Sequence, residues 1–166
     1  MIVYDGVAFT GIGDAALVIY ASPARIDRTR WLFDRLDTFV ASIDTTMCAL
    51  MVVLPTADFP DAAVRAENER RIKLLHGKYR RVVTVVIGDG LRLNLVRTIM
   101  RGMFLVSRQS HLLVVASSVE DGLQQLQREA SSRTPAPRVL LSTLRAMSHE
   151  LGCEDALELA RDERPA

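Results

Sequence analysis

The residue type best placed to do chemistry in this chain is arginine. Asn94, Arg97, Arg101 and Arg108 fall at i, i+3, i+7 and i+14, which on a helix sets them along one face. A planar guanidinium grips carboxylates or phosphates through paired hydrogen bonds. The stripe therefore reads as a docking surface for an acidic protein or an anionic group, with apolar help from Met100 or Phe104 beside it. The plainer reading is a solvated helix face. Arg65, Arg70, Arg71 and Lys73 precede the stripe, and Lys78, Arg80 and Arg81 join the two segments. If both helices lay on one side of a sheet, the patch would be basic enough to attract nucleic acid. No aromatic residues interleave with these charges, as a single-strand stacking surface requires. A protein partner is expected rather than nucleic acid.

A second candidate lies in the loops that would follow apolar strands: Thr56 and Asp58, Gly88 and Asp89, and Ser117. Ligands of α/β proteins bind at the carboxyl ends of strands, and a helix N-terminus holds anions. These residues define the competing reading, a small-molecule or anion binder, enzymes included. Against it, Gly88-Asp89-Gly90 is also a plain tight turn with Asp89 as a helix cap. No Gly-Lys-Ser/Thr follows, so it is not a P-loop, and Gly11-x-Gly13 lacks the context of a dinucleotide fingerprint. His76, His111 and His149 are isolated from metal-ligand spacings, apart from His149 beside Glu150. No Gly-x-Ser-x-Gly elbow is present. Asp34 with Asp37, and Glu67 with Glu69, lie beside arginines, where ion pairing explains them better than acid–base catalysis. No catalytic residue, metal or cofactor is assigned.

Four short apolar runs must position these groups: Ala15–Ala21, Met47–Leu54, Val82–Ile87 and Leu112–Ala116. Such continuous Val/Ile/Leu stretches are strands buried on both faces. Met1–Thr10, interrupted by Gly6, suggests one extra N-terminal strand that pairs as a hairpin through the Gly11–Asp14 turn. Helical patterns separate the runs. Leu32, Leu36, Phe39, Val40 and Ile43 share one face, with Asp27 as N-cap. Asp58 and Pro60 open a charged helix over 62–79. Leu91–Arg108 places Leu95, Val96, Ile99, Met103 and Val106 on its apolar face. Ser117-Ser118-Val119-Glu120-Asp121 fits a capping box. Of Trp31 and Phe33, only one can face a core fully. The order β-β-α-β-α-β-α-β-α predicts an α/β domain. Its sheet has four to five mostly parallel strands and an antiparallel N-terminal strand.

Ser131–Pro137 reads as a linker. Beyond it, Leu140, Leu141, Leu144, Met147 and Leu151 keep helical spacing up to Gly152. The expected division is a domain over 1–130, a linker over 131–137 and a helical extension over 138–166. The extension either packs back on the same domain or presents an apolar helix to a second copy or a partner, which would make a homodimer.

At 166 residues, 49% apolar and 25% charged, the chain matches an ordinary globular domain able to bury a core without metals or disulfides. Its net charge of +1 is uneven. Residues 1–59 hold four Arg and seven Asp, a net of −3. Residues 60–110 hold nine Arg and two Lys against two Asp and two Glu, a net of +7. Residues 111–166 hold six Arg against nine acids, again −3. Cys48 and Cys153 lie far apart, and Cys48 reads as a small buried hydrophobe. The longest apolar run, Met47–Pro55, is too short to span a bilayer. Met1-Ile2-Val3-Tyr4-Asp5 is no signal peptide. A cytoplasmic setting is expected.

A strand pair followed by β-crossover steps and a terminal helix, over residues 1–130, resembles the STAS fold of bacterial anti-sigma-factor antagonists and their SpoIIAA-like relatives. So does the closing run Val114-Val115-Ala116-Ser117-Ser118-Val119-Glu120-Asp121-Gly122-Leu123. The resemblance implies a regulatory, non-catalytic interaction module. Phosphorylatable members carry Asp-Ser-x-Gly after the third strand. The matching place here reads Leu54-Pro55-Thr56-Ala57-Asp58-Phe59-Pro60-Asp61, with no Ser, no Gly and Thr56 as the only hydroxyl. No phosphorylation switch is carried over. Fold alone licenses no activity.

Overall fold

A computed structural model describes residues 1–57, 60–72, 74, 77–88, 91–106 and 112–158. The chain opens with β1 (Ile2–Tyr4) and β2 (Val7–Ile12), an antiparallel hairpin joined by Asp5 and Gly6. Their φ values of 44° and 79° match a type I′ turn, whose twist suits a two-residue hairpin loop. At Gly6 a Cβ would also fall 1.8 Å from Ser22 Oγ. β2 pairs antiparallel with β3 (Ala15–Tyr20). Three crossovers follow: α1 (Ile26–Ala41) to β4 (Met47–Val53), α2 (Ala62–Ile72) to β5 (Tyr79–Val86), and α3 (Leu91–Val106) to β6 (Leu113–Ala116). The chain continues with α4 (Val119–Gln127), α5 (Pro137–Glu150) and α6 (Glu154–Glu158).

The strands lie side by side in sequence order, and β3 to β6 are parallel neighbours. The sheet has six strands instead of the four to five expected. Two of them, not one, are antiparallel additions to the parallel set. The difference arises because the Met1–Thr10 stretch contains its own turn at Asp5–Gly6 and folds as two strands.

Alternation along the strands builds two cores. On β4 and just after it, Cys48, Leu50, Val52 and Leu54 point to one side. Met47, Ala49, Met51 and Val53 point to the other. Leu32 and Leu36 of α1 and Met100 of α3 cover the second side, and α2 packs beside α1. Val119, Leu123 and Leu126 of α4 cover the first side together with Leu140, Leu144 and Met147 of α5. Burial on both faces is why the strands read as unbroken apolar runs. Gly122 lets α4 lie close on the sheet, because a Cβ there would meet Val85 Cγ2 at 2.7 Å and Leu50 Cδ1 at 3.0 Å.

Helix α5 thus packs in cis. Leu140, Leu144 and Met147 are fully buried, so its apolar face is occupied by its own sheet and is not offered to a second copy. α1 begins at Ile26 after Arg25, which makes no side-chain cap, and Asp27 sits in the first turn rather than at the N-cap. Trp31 and Phe33 are both half-buried. Trp31 stacks on Tyr4 at 5.3 Å, and Phe33 lies under the Arg71 guanidinium at 5.4 Å. α2 is shorter than expected, because Tyr79 already starts β5. The expected cap Asp58 lies outside the described residues. Asp61 Oδ1 accepts the Val64 N–H at 2.8 Å and serves that role.

Candidate functional site

The carboxyl ends of β3, β4, β5 and β6 present the loops where the ligand-binding reading would act. Thr56 is exposed and its hydroxyl donates to Ala21 O at 2.8 Å, tying the loop after β4 to the loop after β3. The Gly88 backbone lies close to Pro55, since a Cβ there would come within 3.0 Å of that ring. The Ser117 N–H and hydroxyl both donate to Asp121 Oδ2, at 2.9 and 3.0 Å. Ser118, not Ser117, caps α4, with its Oγ accepting the Asp121 N–H at 3.1 Å. The backbone hydrogen bond from Ser117 holds the Asp121 carboxyl below the ordinary value, outweighing its burial. Thr56 and Ser117 are therefore engaged with their own chain. Asp58 and Asp89 lie outside the described residues. α1 and α3 pack on the same face of the sheet and α2 lies beside α1, so successive crossovers from β3 to β6 do not switch sides. A ligand crevice in an open α/β sheet forms where they do.

The arginine stripe is divided by the fold. Asn94 and Arg101 are exposed on α3, and Arg97 is half-buried. Arg97 Nη2 donates to Val86 O at 2.7 Å and to Gly88 O at 2.6 Å, while Nη1 donates to Asn94 Oδ1 at 2.8 Å. A buried carbonyl without a donor is costly, and Arg97 supplies one to two carbonyls at the end of β5. It positions α3 instead of facing outward. Met100 packs inward against the second core. Arg108 lies outside the described residues, as does the side chain of Phe104. Leu95, expected on the apolar face, is 50% exposed, whereas Leu93 is buried. The inner line is thus Leu93, Arg97 and Met100, at i, i+4 and i+7. The outer face carries Asn94, Leu95, Thr98 and Arg101. No described residue pairs with Arg101.

The neighbouring cations are mostly neutralised. Arg71 meets Glu67 at 3.0 Å, Asp37 at 2.8 Å and Asp34 at 3.3 Å. Arg70 also holds Glu67, at 2.6 Å. Hydrogen bonds from Arg70 and Arg71 pull the Glu67 carboxyl down to about 2. Lys78 reaches Asp37 at 3.3 Å, and Arg81 reaches Glu129 at 2.8 Å. Among the described residues, the cations of the +7 segment therefore do not form one free basic patch.

One polar cluster escaped the sequence reading. It sits at the opposite end of the sheet, where the parallel strands begin. Asp14, immediately before β3, is fully buried. Its carboxylate accepts from Arg80 Nη2 at 2.6 Å, Ser131 Oγ at 2.5 Å and Thr134 Oγ1 at 2.7 Å. Burial would raise the Asp14 carboxyl, but hydrogen bonds from Ser131, Arg80 and Thr134 outweigh it and hold it low. Arg80 Nη2 also lies 3.6 Å from Cys48 Sγ. Burial pushes the Cys48 thiol up, which makes it a poor nucleophile at neutral pH. The cluster fastens the 131–134 segment, and with it α5, to three strand starts. The available signal was a charged residue standing directly before an apolar run, at Asp14 and again at Arg80 and Arg81. Both cysteines are free.

Among the described residues, no group of three His, Cys, Asp or Glu side chains is placed to hold a metal. No helix among them is long and apolar enough to cross a membrane. The fold is an α/β domain with a six-stranded, mostly parallel sheet. Comparison with protein-family models, with curated proteins and with solved structures found no match.

Proposed function

We propose that this chain is a non-catalytic, cytoplasmic regulatory module of STAS-like build that docks an acidic protein partner on the outer face of α3. The observation that carries the reading is the composition of that face. Arg101, which no described residue pairs with, stands in line with exposed Thr98 and Asn94 at i−3 and i−7, and Leu95 lies half-exposed at the flank of that line. An exposed arginine that no described residue pairs with, flanked by Asn94 and Thr98, fits a partner surface that offers a carboxylate. Arg97 supports the face from beneath by holding α3 to the end of β5. The strand-by-strand progression from β3 to β6, with crossover helices on one face, supports the STAS-like build. The engaged hydroxyls of Thr56 and Ser117 favour docking over a ligand pocket at the loops.

The test places a photo-crosslinking residue at Thr98 and compares wild type with Leu95→Ser/Arg101→Glu in native cell extract. Arg97 is left intact so that the helix stays seated. A crosslinked protein is expected with wild type and at least tenfold less with the double variant, as about 1.4 kcal/mol of lost contact implies. Equal crosslinking of the same partner by a folded double variant refutes the reading.

A further inference from the structure

A cavity lies on the face of the sheet opposite α3, where α5 packs against both α4 and α6. Its volume is about 130 Å³, and Val119, Leu141 and Leu157, one from each helix, give it an apolar wall. A cavity of about 150 Å³ accepts a molecule of benzene size, so this space suits an apolar group of about four carbons. Charged side chains from the same three helices border it: Glu120 of α4, Arg145 of α5 and Glu154 of α6. Glu154 is already engaged, because its carboxylate accepts from His149 Nδ1. That contact raises the His149 imidazole above its ordinary value and lowers the Glu154 carboxyl. The two charges left over are opposite in sign. Glu120 is half-buried and Arg145 is exposed, and no described residue pairs with either. Although both border one cavity, they do not neutralise each other. Ser148, buried at the same site, gives its hydroxyl proton to Arg145 O at 2.9 Å, which leaves the oxygen lone pairs to accept.

We propose that this cavity binds a small aliphatic α-amino acid. Its carboxylate pairs with the Arg145 guanidinium. Its ammonium is held by the Glu120 carboxylate, and its side chain enters among Val119, Leu141 and Leu157. Charge complementarity carries the choice of ligand. A carboxylic acid without an amine leaves Glu120 unmatched and adds an anion to a cavity that two glutamates already border. An amine without a carboxylate leaves Arg145 unmatched. A phosphate or nucleotide brings more negative charge than one arginine answers. A zwitterion with a short apolar body satisfies both free charges and the wall between them, and mismatched charges are what exclude the others. The site is separate from α3, so it goes beyond the docking reading and does not rest on it.

Ligand-detected NMR titration of the full chain with L-leucine provides the test. Isopentylamine, which lacks the carboxylate, and isocaproate, which lacks the amine, serve as comparisons. L-Leucine is expected to bind with a Kd on the order of 1 mM, the range open to so small a ligand. Each comparison molecule should bind about tenfold more weakly or worse, because each gives up one charge-assisted contact. Arg145→Gln should weaken L-leucine about tenfold without weakening isopentylamine, and Glu120→Gln should weaken it about tenfold without weakening isocaproate. Far-UV circular dichroism should be unchanged in both variants, since neither side chain is buried. The comparison of the three molecules uses wild type alone, so it decides the matter even if a variant misfolds. No binding of L-leucine well above the expected Kd overturns the proposal. So does equal binding of the three molecules, or unchanged L-leucine binding by either folded variant.

Discussion

Replacing Asp14 with alanine removes the acceptor shared by Arg80, Ser131 and Thr134. Breaking a buried ion pair by deleting one partner costs about 3–5 kcal/mol, because the surviving charge is left unpaired. The Arg80 side chain keeps 21% exposure, so water recovers part of that loss, and about 2–3 kcal/mol is the expected destabilisation. For a domain of this size that corresponds to a fall of about 5–10 °C in Tm. The assay is urea unfolding followed by far-UV circular dichroism, with the midpoint shifting at constant slope. Arg80→Met alone should also destabilise, and the double variant should cost less than the two single changes added together. The pH profile carries the same logic. The Asp14 carboxyl is depressed below 3.8 in the folded chain. Its stabilising effect is therefore present above that value and is lost as pH falls through the lower, folded one. Asp14→Ala should lose this acid-side dependence. An Asp14→Ala variant within about 0.5 kcal/mol of wild type, the range of an ordinary surface change, would refute the reasoning.

Leu144 is fully buried between α5 and the sheet, so Leu144→Ala should cost about 2–5 kcal/mol. A value near zero by urea unfolding would show that α5 does not pack in cis. Glu67 titrates at about 2 against its ordinary 4.5. Its pairing with Arg70 and Arg71 thus stabilises the chain above pH 4.5, and the effect fades as pH falls toward 2. Glu67→Gln should therefore differ most from wild type near neutrality and converge with it in acid, as read by thermal melts across that range.

Much of this architecture is written locally. The runs at Ala15, Met47, Val82 and Leu112 became β3, β4, β5 and β6, because strands buried on both faces must be apolar throughout. Leu32 and Leu36 set the inner face of α1, and Ser118 caps α4, since periodicity and capping act within a few residues. The pairing of Asp34 and Asp37 with a nearby arginine was also legible. Its partner Arg71, however, comes from α2, 34 residues beyond Asp37.

Tertiary structure decided what each polar group does. Arg97 looked like part of an outward stripe by spacing. The rotation of α3 on the sheet turned it toward the carbonyls of Val86 and Gly88 and brought Leu95 out instead. A helix with apolar residues on several sides fits more than one rotation, and only the strand ends beneath it choose among them. Asp14, Arg80 and Ser131 lie 66 and 117 residues apart along the chain, and no local pattern links them. Composition and periodicity dictate which segments are buried, because burial is a property of side chains alone. Which charges meet, and which are left free to bind, depends on distances between segments that exist only once the sheet has formed.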